Sequence, residues 1–181
     1  MMAPAKSAGH RHYTHSGIRF LLMIAALVIT SASFATGQAD AILGLWTTAD
    51  GKARVEIVQQ NGTYVGHIVW LKEPLYPADD AQGMSGKHKV DRKNPEAALR
   101  TRPIVGLPLV SGFHYVSANV WTGGTIYDPE NGKTYSCKIS LTSNGSLRVR
   151  GYIGISLFGR TTVWQRYASE AGTPAAIAET Q

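Results

Sequence analysis

The residues from Gly44 onward predict an all-β domain, an antiparallel meander of short strands that closes as a sandwich or barrel. Three observations carry that expectation. Apolar residues recur in short alternating runs, and Gly, Asn and Pro turn signals separate the runs. Two Asn-Gly pairs, Asn61-Gly62 and Asn144-Gly145, sit between such runs. Around each pair, one register sorts apolar from polar side chains onto opposite faces, and a one-residue slip would mix them.

Ahead of this domain, Phe20 to Ile29 read FLLMIAALVI, an uncharged run with Arg19 just before it and small residues after it. That is the pattern of a secretory signal segment, and the run is too short to span a bilayer comfortably. Ser33 and Ala35 fit the small-x-small rule, so residues 1–35 are expected to be removed by a cut after Ala35; a cut after Ala39 is the second choice. No cysteine follows the run, which excludes a lipoprotein anchor. His10, His12 and His15 belong to the segment expected to be lost and are given no role. Residues 36–43 then form a short linker, and the chain is expected to work outside the cytoplasm, in a periplasm or secreted.

The first hairpin, Ala53 to Leu71, turns at Asn61-Gly62. A two-residue type I′ loop needs positive φ at both positions, which Asn and Gly tolerate. Pairing outward from Gln60 and Thr63 sets Gln59 opposite Tyr64, Ile57 opposite Gly66, Val55 opposite Ile68 and Ala53 opposite Trp70. Tyr64 and Trp70 then point inward, while Glu56 and His67 face each other outside. Lys72 to Pro103 has little strand character and is too long for an ordinary connection, so it reads as a functional or ordering insertion. Within it Asn94 is an N-cap with Pro95 at the first helical position, and a short helix runs over Glu96 to Arg100. Gly83 to Lys93 carries Lys87, His88, Lys89, Arg92 and Lys93. This basic run is either a solvated loop or a site for an anionic head group.

Trp121 to Asp128 is the next strand. Pro129-Glu130-Asn131-Gly132 turns it into the second hairpin, Tyr135 to Ile153. There a two-residue loop would oppose Leu141 and Ile139 to arginines. A three-residue loop, Ser143-Asn144-Gly145 with Gly145 left-handed, instead pairs Leu141 with Leu147, Ile139 with Val149, Cys137 with Gly151 and Tyr135 with Ile153. Cys137 is thereby an inward, inert core residue. Arg160 to Tyr167 is the last strand, so the barrel domain spans 44–167, and 168–181 is a disordered tail.

Composition excludes several function classes. The formal charge is +6, but the first 35 residues hold Lys6, Arg11 and Arg19 and no acid, which leaves 15 basic against 12 acidic residues. That balance does not point to nucleic acid. Cys137 is the single cysteine, so there is no internal disulfide and no cysteine zinc site. There is no Gly-x-Ser-x-Gly elbow, no His-Glu-x-x-His and no phosphate-binding glycine loop. His67, His88 and His114 are scattered. No metal, cofactor or catalytic residue is assigned, and the chain is not expected to be an enzyme. Asp79, Asp80 or Asp91 beside a histidine would be the route to a hydrolase.

Gly44-Leu45-Trp46 resembles the Gly-x-Trp opening of lipocalins and related calycin barrels, in which that tryptophan packs at the closed end near a late arginine. The resemblance gives Trp46 a structural role, with Arg160 or Arg166 as its partner. The stretches GLWTTADGKARVEI, GHIVWLKEP, DRKNPEAALRTRPIVGLPLV, WTGGTIYDPENGKTYSCKISL and LRVRGYIGISLFGRTTVWQR are similar to the bacterial family catalogued as domain of unknown function 2147. That resemblance implies an exported, lipocalin-like, up-and-down barrel of about eight strands and brings no activity with it. A barrel of that size either fills with side chains or holds one small ligand. The function expected is therefore non-covalent binding of a small amphipathic or lipid-like ligand. Tyr64, Trp70, Trp121, Tyr127 and Tyr135 are the candidate lining. Asp91, Asn94 and Arg100 either form its polar rim or order the long insertion. The alternative is an adaptor whose outer surface contacts a membrane surface or another envelope protein. Ile153 to Phe158, uncharged and β-prone, must be buried, paired or at an interface.

Overall fold

In the computed structural model, which describes residues 37–157 and 159–168, the chain forms a closed antiparallel barrel whose eight strands follow one another in sequence order. They are β1 (Gly44–Thr47), β2 (Ala53–Gln60), β3 (Thr63–Leu71), β4 (Pro108–Ser117), β5 (Val120–Asp128), β6 (Lys133–Leu141), β7 (Leu147–Tyr152) and β8 (Gly159–Arg166). Closure comes from β1 against β8, with Trp46 opposite Arg166 and Thr47 opposite Gln165. A closed up-and-down barrel leaves no strand edge unpaired. The expected signal segment lies outside the described residues, as does the expected tail beyond Ala168.

Both hairpin registers follow from turn chemistry. Asn61 and Gly62 have φ of +50° and +76°, and from Gln60↔Thr63 to Val55↔Ile68 the pairs are those the sequence predicts. Gly145 is left-handed at φ +79°, and Leu141↔Leu147, Ile139↔Val149 and Cys137↔Gly151 pair across the three-residue loop. Two details differ. A bulge between Arg54 and Val55 pairs Arg54 with Trp70 and Ala53 with Leu71, so the extra residue on β3 turns Trp70 to the outside. β7 ends at Tyr152, so Ile153 leaves the sheet instead of facing Tyr135. The strand β4 follows the long connection and has no turn signal of its own to announce it.

One end of the barrel is packed solid. Trp46, Val55, Ile57, Phe113, Trp121, Cys137, Ile139 and Leu147 are all buried there. Two glycines make the packing possible, because a Cβ on Gly124 would lie 2.4 Å from the Phe113 ring and one on Gly66 would lie 2.6 Å from Val110. Residues 39–43, expected to be a linker, instead plug this end. Asp40–Ile42 is a 3-10 turn with Ile42 fully buried. The Trp46 indole donates to the Ile42 carbonyl (2.8 Å), that of Trp121 to the Ala39 carbonyl (3.1 Å), and the Tyr64 hydroxyl to Asp40 Oδ1 (2.9 Å).

The connection from β3 to β4 is ordered by main-chain bonds rather than by a helix. Isolated bridges join Leu75 to His88 and Val90 to Pro103. The expected helix over Glu96 to Arg100 is reduced to one 3-10 turn, Ala97–Leu99. Asn94 still accepts the Glu96 N–H (2.9 Å), but Arg102, two residues on, returns its N–H to Leu99 and closes the segment. Pro103 leaves no room for a second turn.

Candidate ligand-binding site

Away from the plug, aliphatic side chains and threonine hold many of the inward positions, with Trp164, Tyr127, Tyr135 and Arg160 among them, and the barrel is hollow there. A cavity of about 1310 Å³ opens at the end opposite Trp46. That exceeds the few hundred to 1,000 Å³ or so of a typical small-molecule site. Its floor and walls are Ala53, Ile68, Leu109, Ile126, Val149 and Trp164, and its rim carries Lys72, Glu73, Asp80, Lys89, Arg92 and Arg160. Apolar depth under a charged rim is the geometry that seats a molecule with an apolar body and a polar head.

One wall of the mouth comes from the long connection, through Tyr76, Val90 and Ile104. The Tyr76 hydroxyl donates to the Val90 carbonyl and accepts the Val90 N–H, each at 3.1 Å. Arg92 lies over the Tyr76 ring (4.2 Å) and bonds Asp80 at 2.7 Å. That guanidinium holds the Asp80 carboxyl below the usual carboxylate range. Lys89 lies 3.9 Å from Glu73. Two cations of the basic run are therefore already engaged by carboxylates, which weakens its reading as an anion site.

The anchor of this wall is Asp91, fully buried. It accepts bonds from the Tyr127 hydroxyl (2.6 Å), Asn94 Nδ2 (2.8 Å), and Arg102 Nε and Nη2 (3.0 and 2.8 Å). A buried carboxylate is tolerable only when so satisfied. Burial and the Asp91 carboxylate together raise the Tyr127 phenol above its ordinary value. Arg100 donates to the Asn94 carbonyl at 2.8 Å. Asp91, Asn94 and Arg100 thus order the connection and do not present their polar atoms to the cavity. Arg102, which completes the cage, carries no signal in the sequence beyond being one arginine among several.

Of the expected lining, Tyr127 and Tyr135 lie at the cavity and the other three do not. Tyr64 and Trp121 pack edge-to-face in the solid end, with ring centroids 6.4 Å apart. Burial and Asp40 push the Tyr64 phenol up to about 12. Trp70 is outside, where the Arg54 guanidinium is stacked between it (4.3 Å) and Tyr167 (3.7 Å). The sequence reading missed Trp164, Ile126, Val149 and Thr162. The register of the second hairpin already sets Val149 inward, and β8 alternation about Trp164 sets Thr162 and Arg160 with it. Arg166, not Arg160, covers Trp46. Its guanidinium lies 4.2 Å from the ring and donates to the Leu43 and Ala41 carbonyls. Arg160 pairs with Gly151 at the far end of the same strand and faces the cavity.

Among the described residues no group of three His, Cys, Asp or Glu gathers to hold a metal. Asp80 and Asp91 take arginines as partners, and His67 shares its Nδ1 with the Gly106 carbonyl at 3.3 Å, so the carboxylate–histidine pairing sought in the sequence is not formed by these groups.

No curated protein matches the chain. A solved Helicobacter pylori protein, HP1028, described as belonging to the lipocalin family, is similar in structure. It is 26% identical with a TM-score of 0.59, over 71% of this chain and 84% of that one. The sequence model of a bacterial family described as an uncharacterised protein conserved in bacteria, DUF2147, matches residues 44–166, from the first strand of the barrel to the last. The chain belongs to this family, and its barrel is of lipocalin-like type.

Proposed function

We propose that the protein is an exported carrier that binds one small amphipathic molecule non-covalently in the open half of its barrel. The observation that carries the reading is the division of the interior. Aromatic and aliphatic side chains fill the plugged end, and the other end keeps a cavity of about 1310 Å³ with apolar walls and a charged rim. Burying an alkyl chain against such walls is favourable by roughly 0.8 kcal/mol per methylene. Arg160, at an inward register position on the rim, is placed to meet a polar or anionic head. The lipocalin description of the similar Helicobacter pylori protein supports the same reading. Export is supported by the FLLMIAALVI run behind Arg19. A cut after Ala35 is preferred over one after Ala39, because the Ala39 carbonyl accepts the Trp121 indole and is part of the plug.

The test is a titration with an amphipathic fluorescent probe, anilinonaphthalene sulfonate. Thr162 faces inward beside the cavity and its neighbour Val163 faces out. Wild type and Val163→Trp are expected to bind one equivalent, and Thr162→Trp to bind at least about tenfold more weakly because the indole occupies the site. Equal binding by all three, or none by the wild type, overturns the reading.

A further inference from the structure

The connection between β7 and β8 is apolar and uncharged between two arginines. Gly151 to Gly159 reads GYIGISLFG, nine residues without a charge, and Arg150 and Arg160 bracket it. Three of its aliphatic side chains stand in solvent: Ile153 is 73% exposed, Ile155 62% and Leu157 73%. Scattered exposed aliphatics need no explanation, but three within five residues on one loop do. The loop is also held in shape. Arg150 donates from Nε to the Ser156 carbonyl (2.7 Å), from Nη2 to the Leu157 carbonyl (2.9 Å) and from Nη1 to Thr161 Oγ1 (2.9 Å). A guanidinium that fixes the main chain while the side chains point to water presents those side chains ready-made. At its two ends the loop meets the cavity mouth, which Tyr152, Ile153, Gly159 and Arg160 help to line.

Charge is distributed with equal bias. Residues 36–130 hold nine basic and ten acidic side chains, whereas 131–168 hold six basic and no acidic ones. Those six are Lys133, Lys138, Arg148, Arg150, Arg160 and Arg166, so the wall β6–β7–β8 is wholly cationic. Lys138 and Arg148 are exposed on its outer face. Arg166 lies at the plugged end and the mouth beside the loop also carries Asp128 and Glu130, so the cations nearest the tip are Arg150, Arg160 and, across from Arg150, Lys138. An apolar tip bracketed by these cations matches the layered chemistry of a bilayer surface. The aliphatics enter the acyl boundary, and the arginine and lysine heads remain among anionic head groups. A second copy of the chain fits less well, because a specific interface needs roughly 1,000 Å² or more and would set one cationic wall beside another.

We propose that the β7–β8 loop is a membrane-docking tip that inserts into an anionic lipid surface and brings the cavity mouth to it. This reaches beyond ligand binding, since a barrel could hold its ligand without touching a bilayer.

The test uses the chain from residue 36 onward, in which the sheet closes and the core is complete. Co-sedimentation is measured with phosphatidylglycerol–phosphatidylcholine vesicles and with phosphatidylcholine alone. Binding is expected to the anionic vesicles and to weaken with added salt. The double variant Ile155→Ser, Leu157→Ser, which spares Ile153 at the cavity mouth, is expected to bind about tenfold more weakly or worse, having lost its insertable apolar area. Lys138→Gln with Arg148→Gln, neither of which makes one of the tip's hydrogen bonds, is expected to lose the preference for anionic lipid. Unchanged anilinonaphthalene sulfonate binding by the Ile155/Leu157 variant, without vesicles, shows that its barrel and cavity are intact and separates this proposal from that of the carrier. Absence of wild-type sedimentation with either vesicle, equal sedimentation of the Ile155/Leu157 variant, or a wild-type dimer that this variant abolishes, each overturns the proposal.

Discussion

At the scale of single residues, buried polar groups decide the outcomes that are easiest to measure. Replacing Asp91 with alanine strands Tyr127, Asn94 and Arg102 together, so the expected loss is about 2–3 kcal/mol in urea unfolding. Arg102 is partly exposed and regains water, which keeps the cost at the lower end of that for a broken buried pair. Tyr127→Phe removes one donor and should cost about 1 kcal/mol. Tyr64 gives a pH dependence with a definite sign. Its folded phenol holds the proton up to about 12, above the ordinary value of 10, so its contribution is intact below pH 10 and is lost as the pH rises from there toward 12. Urea midpoints should therefore fall over that window, and less steeply in Tyr64→Phe. Cys137 is fully buried and its thiol is pushed up to about 12 by burial. It is expected to resist alkylation at pH 8 in the folded protein and to react promptly in urea. Which residues are inward was legible wherever a turn fixed the register, as for Tyr64, Val149 and Cys137. Trp70 was misread because a bulge is one extra residue, and nothing local to Val69 announces it. Arg166 was distinguishable from Arg160 only by which of them ends the strand that closes on Trp46.

At the scale of elements, the long connection is the part whose sequence says least about its form. Its polar composition and Asn94-Pro95 read as a loop with a helix start, and both are there in reduced form. What shapes it is tertiary: the Asp91 cage, the double bond of Tyr76 to Val90, and docking on the β5–β6 turn. No local pattern encodes such pairings. The dock can be tested at Gly132, where φ is +73° and a Cβ would lie 1.9 Å from the Lys93 carbonyl oxygen. Gly132→Ala is expected to lift the connection off the turn while leaving the sheet closed. Limited proteolysis should then cut within residues 72–107 more readily than in wild type, with little change in the far-ultraviolet dichroism. Equal resistance would mean that the contact at Gly132 does not hold the wall of the mouth.

At the scale of the whole molecule, the barrel is divided by what its inward positions carry. Large aromatics (Trp46, Phe113, Trp121) with the 39–43 plug fill one half. Isoleucine, valine and threonine, under a rim that carries Arg92 and Arg160, leave the other open. The eight-strand meander was readable because strand alternation and turn residues are local signals. That an interior would be half full was not, since it depends on which inward residues share a level of the barrel and on a plug that looks like a linker. The measurement that bears most directly on a ligand site in the open half is amide and methyl chemical-shift mapping on titration with a medium-chain alkyl amphiphile. Shifts are expected at Ile68, Leu109, Ile126, Val149 and Thr162, with Val55, Ile57 and Ile139 in the plugged half unmoved. Shifts confined to the outer face, or none at saturating amphiphile, would contradict it.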